Sequence, residues 1–272
     1  MKLYPLLFEQ EQLKLFSPEE MKAPESAFKH LAPSKIKTDY TSNDYGLFSW
    51  NNGGVEGFAL FHINKFKEWI KSGEQLSWET WICAYAGTEE KHNNNCSGAV
   101  EINYMARNPK FPGSGATMYA LISSYYRSPI TSDRVHSTSD SAKKAWARIE
   151  SSGEWEKVEL DNYSDIEDDW YRFKGTWPNR SVTTSDEPST PDKYDDCKTP
   201  RGIGSDAVNN KLGTANAWIY HGSLNAHEIS EHAEDALPEI AKETGYDRRH
   251  LESRIKSTAN KLFSKYYQGI EG

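Results

Sequence analysis

AVEINYMARNPKFPGSGATMYALISSYY, residues 99–126, is the stretch that decides the fold. It begins as an apolar, β-rich run that predicts a strand, continues into the turn PGSGA, and ends in a helical pattern with one apolar face from Met118 to Tyr125. A strand that runs into a glycine turn at the start of a helix leaves backbone N–H groups unpaired, where the helix dipole also favours negative charge. Gly113 and Gly115 let the main chain approach a diphosphate closely. The pattern predicts a binding site for a phosphate-bearing ligand.

A second strand and a second helix follow this stretch. SPITSDR (128–134) predicts a short strand, and STSDSAKKAWARI (137–149) predicts a helix with a serine-rich start. The order of strand, glycine turn, helix, strand and helix resembles the acyl-CoA-binding core of the GNAT family of N-acetyltransferases. In that family the turn has the form Asp-Pro-x-Tyr-Arg-Gly-x-Gly-x-Gly, and residues 108–117 match it as NPKFPGSGAT.

The match to the family turn has two departures. Pro112 stands where the family has Arg or Gln, and Thr117 stands where it has Gly or Ala. Moving the motif back by two residues puts Lys110 at the basic position instead, but loses the Asn-Pro match. The resemblance implies an α/β (α+β) fold with a mixed, mainly antiparallel sheet flanked by helices. It also implies that acetyl-CoA, as co-substrate, is bound by the end of the strand and by the turn: Met105, Arg107, Gly113, Ser114, Gly115, Ala116 and Thr117.

Acetyl transfer from a thioester to an amine needs a base, a donor to the oxyanion and an acid for the departing thiolate. The resemblance puts Glu101 at the place of the family's catalytic glutamate; the alternative is a solvated strand residue that points outward. The family's acid is a tyrosine on the second helix, where this chain has Trp146, and an indole cannot release a proton near neutral pH. Trp146 is therefore expected to pack in the core. Tyr104 and Tyr119 are the substitutes that the sequence offers as acid, and Tyr104 is the one we take with Glu101 as catalytic.

Asp133 and Arg134 follow the second strand, which in this family splays from its neighbour to admit the pantetheine arm. The resemblance implies that they bind substrate. The alternative is that Asp133 caps a turn and Arg134 pairs with a surface carboxylate.

Composition limits the classes of partner. The 272 residues include 40 acidic and 32 basic side chains, a formal charge of -8, which opposes binding to nucleic acid. No run approaches the roughly 18 apolar residues that span a bilayer, and the acidic start argues against a secretory signal. We expect a soluble, cytoplasmic protein without membrane contact. The two histidines of HEISEH (227–232) are five residues apart rather than four, so no metal site is expected.

The pattern along the chain predicts three regions. Residues 1–179 hold the α/β domain, and residues 180–213 form an acidic connector rich in Pro, Ser and Thr. Residues 214–272 are predicted as a helical extension, in which Asp247 caps a last helix with an apolar stripe from Leu251 to Tyr266. Such a helix pair must pack on the first domain or on a protein partner.

Two hypotheses remain. The first is an N-acyltransferase that uses acetyl-CoA or a related thioester. The second is a non-catalytic, acetyltransferase-like protein whose C-terminal helices dock into a larger assembly. The MKL-x-x-LLFE opening and the pattern around SDR and Trp146 resemble acetyltransferase-like proteins of tailed bacteriophages, some of them particle components, which implies location in a host cytoplasm or a virion.

Overall fold

A computed structural model describes residues 39–51, 54–89, 98–132, 140–163, 196–198 and 214–266. These residues form eight strands, five α-helices and one 3-10 helical turn, Trp78–Thr80. The strands are β1 (Tyr45–Asn51), β2 (Val55–His62), β3 (Ile82–Glu89), β4 (Val100–Arg107), β5 (Ile130–Ser132), β6 (Trp155–Tyr163), β7 (Asp196–Lys198) and β8 (Thr214–Tyr220). The helices are α1 (Ile63–Lys71), α2 (Ser114–Tyr126), α3 (Asp140–Glu150), α4 (Ala226–Thr244) and α5 (Arg248–Tyr266).

All eight strands belong to one sheet, in the order β1-β2-β3-β4-β5-β8-β6-β7. Neighbouring strands are antiparallel except for β4 with β5 and β6 with β7, which are parallel. Helix α2 is the crossover that a parallel β4–β5 pair requires. The prediction of an α/β class with a mainly antiparallel sheet flanked by helices is confirmed.

Apolar side chains cover both faces of the sheet over strands β1 to β4. On the α2 face, the strand residues Phe58, Leu60, Val100 and Ile102 pack against helices α2 and α3. The helices contribute Met118, Leu121, Ile122 and Ile149 to this cluster. On the α5 face, the strand residues Phe61, Ile82, Tyr85 and Ala106 pack against helices α1, α4 and α5. The helices contribute Phe66, Leu237, Leu251 and Ile255 to this cluster. Because both faces are buried, β2 and β3 are almost continuously apolar rather than alternating.

The predicted last helix is confirmed in its cap and its stripe. Asp247 caps α5, since its carboxylate accepts a hydrogen bond from the His250 N–H at 2.7 Å. Leu251, Ile255 and Leu262 along the stripe are fully buried. The helix is long, but its stability comes from this packing against the α5 face of the sheet.

The residues from 214 onward are not all helical as predicted. Thr214–Tyr220 forms strand β8, which lies inside the sheet between β5 and β6, and helix begins only at Ala226. The pairing of Trp218 with Ile130 joins segments far apart in sequence, which no local pattern reveals. Of the predicted connector, the structure describes only Asp196–Lys198, a short strand beside β6.

Candidate functional site

Strands β4 and β5 are paired over a short length. Their parallel pairing covers three residues of β4, from Val100 opposite Ile130 to Ile102 opposite Ser132. Strand β4 continues to Arg107, and within the described residues its last part has no strand partner on the β5 side. In the part of the chain that the structure describes, the β5 side of Asn103–Arg107 is therefore an uncovered strand edge beside the start of the glycine turn. Residues 133–139 lie outside the described part of the chain, and Asp133 and Arg134 with them.

A β-bulge marks the place where the pairing ends. Tyr104 pairs with Gly87 and Ile102 pairs with Thr88, so Asn103 is an extra residue in β4. The side-chain oxygen of Asn103 is buried and accepts no hydrogen bond from the part of the chain that the structure describes. Bulges are common beside active sites because they redirect side chains.

The bulge places the two predicted catalytic side chains on the same face of the sheet. Residues three apart in a regular strand point to opposite faces. Here Ile102 packs on the α2 face, which puts its neighbour Glu101 on the opposite face by alternation, and Tyr104 packs on that same α5 face. The bulge thus aligns Glu101 and Tyr104.

Glu101 is completely buried, so the alternative of a solvated strand residue is wrong. It lies opposite Thr131 in the three-residue pairing of β4 with β5. Tyr104 shares a hydrogen bond of 2.9 Å between its hydroxyl and that of Tyr85. Burial and this hydrogen bond raise the pKa of Tyr85 above its usual value.

The turn after β4 is fixed by a buried asparagine. The Asn108 side chain donates hydrogen bonds of 2.8 Å to the carbonyl oxygens of Glu79 and Ile82, and its own oxygen accepts one from the Lys110 N–H. Tyr40 adds a second restraint, since its hydroxyl donates to the Pro112 carbonyl at 3.0 Å. In the sequence, Asn108 stands out only as part of the turn motif, and the contact with Tyr40, 72 residues away, has no local signal.

The glycine turn ends in a left-handed residue that begins the helix. Gly113 has φ 85° and is the N-cap of α2. The Ser114 N–H donates to the Phe111 carbonyl at 3.2 Å, and the Thr117 N–H donates to the Gly113 carbonyl at 3.0 Å. Gly115 and Ala116 lie between these two residues, and their N–H groups donate no hydrogen bond to the described part of the chain. Two amides at the positive end of the helix are therefore available to a ligand.

Ser114, Gly115 and Thr117 are buried, whereas Ala116 is exposed. The Ser114 hydroxyl donates to the Cys83 carbonyl at 3.0 Å, which fixes the first residue of α2 against β3. The Thr117 hydroxyl oxygen is buried and has no partner in the described chain.

Met105 and Arg107 lie close to Gly115, so the structure brings these three predicted site residues together. A Cβ built on Gly115 would be 3.3 Å from Arg107 Cδ and 3.7 Å from Met105 Sδ. Arg107 is exposed and has no ion-pair partner among the described residues. The guanidinium and the helix N-terminus both carry positive charge and repel each other. An anion bound between the two would remove this repulsion.

The basic residue of the alternative motif register is already paired. Lys110 Nζ lies 3.0 Å from a carboxylate oxygen of Glu79. The same carboxylate accepts hydrogen bonds from Lys265 and Tyr266 of α5, and these contacts lower the pKa of Glu79 to about 2. The contacts favour Arg107 over Lys110 as the cation of the site.

Two cavities lie at opposite ends of α2. One, of about 360 Å³, borders the outer side of the turn at Lys110 and Phe111. The other, of about 240 Å³, lies beyond the end of α2, between Arg127 and His227. Neither is lined by Glu101 or Gly115. The candidate site at the strand edge and helix start is thus separate from both of these cavities.

Trp146 packs in the core as expected. It is 8% exposed and stacks on Trp218 at 4.9 Å and against Tyr119 at 4.8 Å between ring centroids. Tyr119 is itself buried, and burial raises its pKa above the usual range. The tyrosine is therefore poorly suited to donate a proton from this position.

Comparison of the chain with protein-family models, with curated proteins and with solved structures found no match. In the residues that the structure describes, no three His, Cys, Asp or Glu side chains are grouped so as to hold a metal ion. The described helices include none that is long and apolar enough to cross a bilayer.

Proposed function

We propose that this chain binds an acyl-coenzyme A thioester at the start of α2 and transfers the acyl group to a primary amine, in a fold of the GNAT type. The observation that carries the proposal is the set of two unpaired amides, Gly115 and Ala116, beneath the unpaired Arg107. A diphosphate matches both features, since it accepts N–H hydrogen bonds and pairs with a guanidinium.

The strand arrangement supports an extended arm leading from that diphosphate. Among the described residues, β4 has no strand partner on its β5 side from Asn103 to Arg107, where the glycine turn begins. The backbone groups on that side can hydrogen-bond to the amides of a pantetheine arm as a neighbouring strand would. The arm then leads towards the bulge and towards Glu101.

The reaction assigns a role to Glu101. The amine nitrogen attacks the thioester carbonyl carbon, the new C–N bond forms, and the C–S bond breaks. Glu101 accepts the proton that the nitrogen loses, directly or through a water, and the thiolate takes up a proton as it leaves. Tyr104 lies on the same face of the sheet as Glu101, three residues further along β4. We propose its hydroxyl, which is hydrogen-bonded to that of Tyr85, as the donor of the proton that the thiolate takes up.

A binding protein without turnover is the second candidate. The observation that favours it is Trp146, which occupies the place of the family's acid and is packed between Trp218 and Tyr119. An indole donates a hydrogen bond but does not release a proton near neutral pH. Binding and turnover are therefore measured separately.

Calorimetry with coenzyme A tests the binding proposal. We expect micromolar affinity for the unmodified protein and a loss of about tenfold or more in Arg107→Ala, because a charge-assisted hydrogen bond contributes about 1.5–3 kcal/mol. Arg249→Ala, which removes an exposed arginine from α5, is the matched control and should leave the affinity unchanged. No binding at millimolar coenzyme A, or equal affinity in Arg107→Ala, contradicts the proposal.

Release of free thiol from acetyl-CoA in the presence of a panel of primary amines tests turnover. If Glu101 is the base, Glu101→Gln lowers kcat by about 10²–10⁴ and leaves coenzyme A affinity within about twofold. Binding without thiol release in the unmodified protein favours the second candidate.

A further inference from the structure

The cavity between the end of α2 and the start of α4 is lined by hydrogen-bond donors. We call it the α2–α4 cavity; it lies between Arg127, which ends α2, and His227, in the first turn of α4. None of the described residues that line it is Asp or Glu. Its volume of about 240 Å³ equals that of about eight liquid waters, which is enough for the five heavy atoms of a phosphate and a few more.

Two hydroxyl groups of the cavity still have a hydrogen to donate. The Ser124 hydroxyl oxygen accepts a hydrogen bond of 3.1 Å from the Ala226 N–H, and the Tyr220 hydroxyl oxygen accepts one of 3.4 Å from the Leu224 N–H. Neither hydroxyl donates to an acceptor in the described part of the chain. Each O–H is therefore available to a ligand.

Arg127 is the charged group of the cavity. Its side chain is exposed and has no ion-pair partner among the residues that the structure describes. Asn225 accepts the His227 N–H at 3.1 Å with its side-chain oxygen, which leaves the amide N–H groups of Asn225 as donors. The His227 ring stacks on Tyr125 at 5.9 Å between centroids, so its position beside the cavity is fixed. The positive end of the α4 dipole lies at the same place.

The polar groups at the end of α2 do not oppose an anion. The carbonyl oxygens of Ser123 and Ser124 accept hydrogen bonds from the N–H groups of Ser128 and Arg127, at 3.2 and 3.3 Å. The Ser123 hydroxyl is satisfied too, since it donates to the Ser128 carbonyl and accepts from the Tyr220 N–H. The side chains of the cavity thus have donors to spare and no carboxylate to match them.

We propose that the α2–α4 cavity binds the phosphate group of a small phosphorylated molecule. Arg127, Ser124, Tyr220 and Asn225 together offer about six N–H and O–H groups, more than the roughly four acceptor positions of a carboxylate. A phosphate monoester has three strong acceptor oxygens and pairs with a guanidinium through two parallel hydrogen bonds.

This site is independent of the proposed coenzyme A site. The two lie at opposite ends of α2, whose 13 residues extend about 20 Å. Binding at one therefore does not require binding at the other.

Titration with inorganic phosphate, followed in ¹H–¹⁵N spectra, tests the proposal. We expect saturable shifts of the amide resonances of Gly222, Leu224 and His227 with millimolar phosphate, and much weaker binding of acetate. Arg127→Gly should weaken phosphate binding about tenfold or more, and it should fold because glycine is unstrained at φ 51°. Arg148→Ala, which removes an exposed arginine from α3, is the matched control and should leave the affinity unchanged.

A second variant removes a neutral donor. Tyr220→Phe should weaken phosphate binding about threefold or more, whereas Tyr246→Phe, which removes an exposed hydroxyl between α4 and α5, should not. Arg107→Ala should leave these shifts in place, because Arg107 lies at the other end of α2. The absence of saturable shifts with phosphate, equal affinity for acetate, or unchanged affinity in Arg127→Gly overturns the inference. None of these results bears on coenzyme A binding at the start of α2.

Discussion

The ring of Tyr104 lies across Gly87, its cross-strand partner in β3, so closely that a Cβ on Gly87 would overlap the ring. The same arrangement recurs in β1 and β2, where a Cβ on Gly57 would be 2.6 Å from Trp50. Each glycine provides the space in which an aromatic ring covers the neighbouring backbone.

We expect Gly87→Ala to displace Tyr104 and to separate its hydroxyl from that of Tyr85. Overpacking of this kind costs about 1–3 kcal/mol of the free energy of unfolding, measured by urea denaturation. Gly153→Ala is the control, since a Cβ there meets no atom within 4 Å. Equal stability of the two variants would contradict the close contact.

Asn108→Ala should destabilise the protein by about 3 kcal/mol, because the carbonyl oxygens of Glu79 and Ile82 lose a buried donor. Asn64→Ala, which removes an exposed hydrogen bond to Asp44, should cost less than about 1 kcal/mol. Thermal unfolding of the two variants tests the difference. A small effect of Asn108→Ala would mean that the turn does not depend on this side chain.

Gly115→Ala separates ligand binding from stability. The added methyl would lie 3.3 Å from Arg107 Cδ, which is the flexible part of an exposed side chain, so the fold should accommodate it. We expect a change of less than about 1 kcal/mol in unfolding free energy, since alanine also favours helix. Coenzyme A affinity should fall at least tenfold, as the methyl occupies the ligand's approach to the amides. Unchanged affinity would place the anion elsewhere.

Arg127→Gly should stabilise the protein by up to about 1 kcal/mol, because Arg127 ends α2 in the left-handed region at φ 51°, where glycine is unstrained. The measurement is the midpoint of chemical denaturation. Arg148→Gly, within α3, is the opposite case and should destabilise by about 1 kcal/mol. A loss of stability in Arg127→Gly would indicate that the arginine side chain has contacts of its own that matter.

Two carboxylates held in ion pairs, the half-buried Glu79 and the exposed Glu243, should make the stability fall in acid. Lys265 is the largest cause that lowers the pKa of Glu79 to about 2, and Lys67 does the same for Glu243, from the usual 4.5. Because the folded pKa is below the unfolded one, the stabilisation is present above about pH 4.5 and is lost as the pH falls towards 2. Solvent screening keeps the effect small, because Glu243 and the lysines that pair with Glu79 are exposed.

The double variant Glu79→Gln, Glu243→Gln tests this dependence. At pH 6 its Tm should lie below that of the unmodified protein, and at pH 2.5 the two values should approach one another. Added salt should reduce the difference at pH 6. A constant difference in Tm across this range would mean that neither carboxylate changes its pKa on folding.

The sequence was sufficient for the segments whose pattern is local. The strand β4, the glycine turn and the helix α2 are encoded within 30 consecutive residues, and the structure has them in the predicted order. The prediction that α2 buries one face is wrong, because every residue from Thr117 to Ser123 is buried. The cap at Asp247 follows from a side chain that reaches its own helix start. The proximity of Arg107 to Gly115 is local too, because the strand–turn–helix segment that contains both residues is short.

The features that could not be predicted from the sequence depend on pairing between distant segments. The bulge at Asn103 is defined only by the register of β4 against β3, and that register aligns Glu101 with Tyr104. The stacking of Trp146 on Trp218 requires the insertion of β8 beside β5. Hydrophobic periodicity contains no information on either.

The position of β8 bears on how the chain is made. Strands β5 and β6 each take β8 as a neighbour, although both precede it in synthesis by many residues. While a ribosome is still elongating residues 164–213, the nascent chain has two strand edges with no neighbour to cover them. A fragment that stops before Thr214 should therefore self-associate, and the sheet can close only when translation has passed Tyr220.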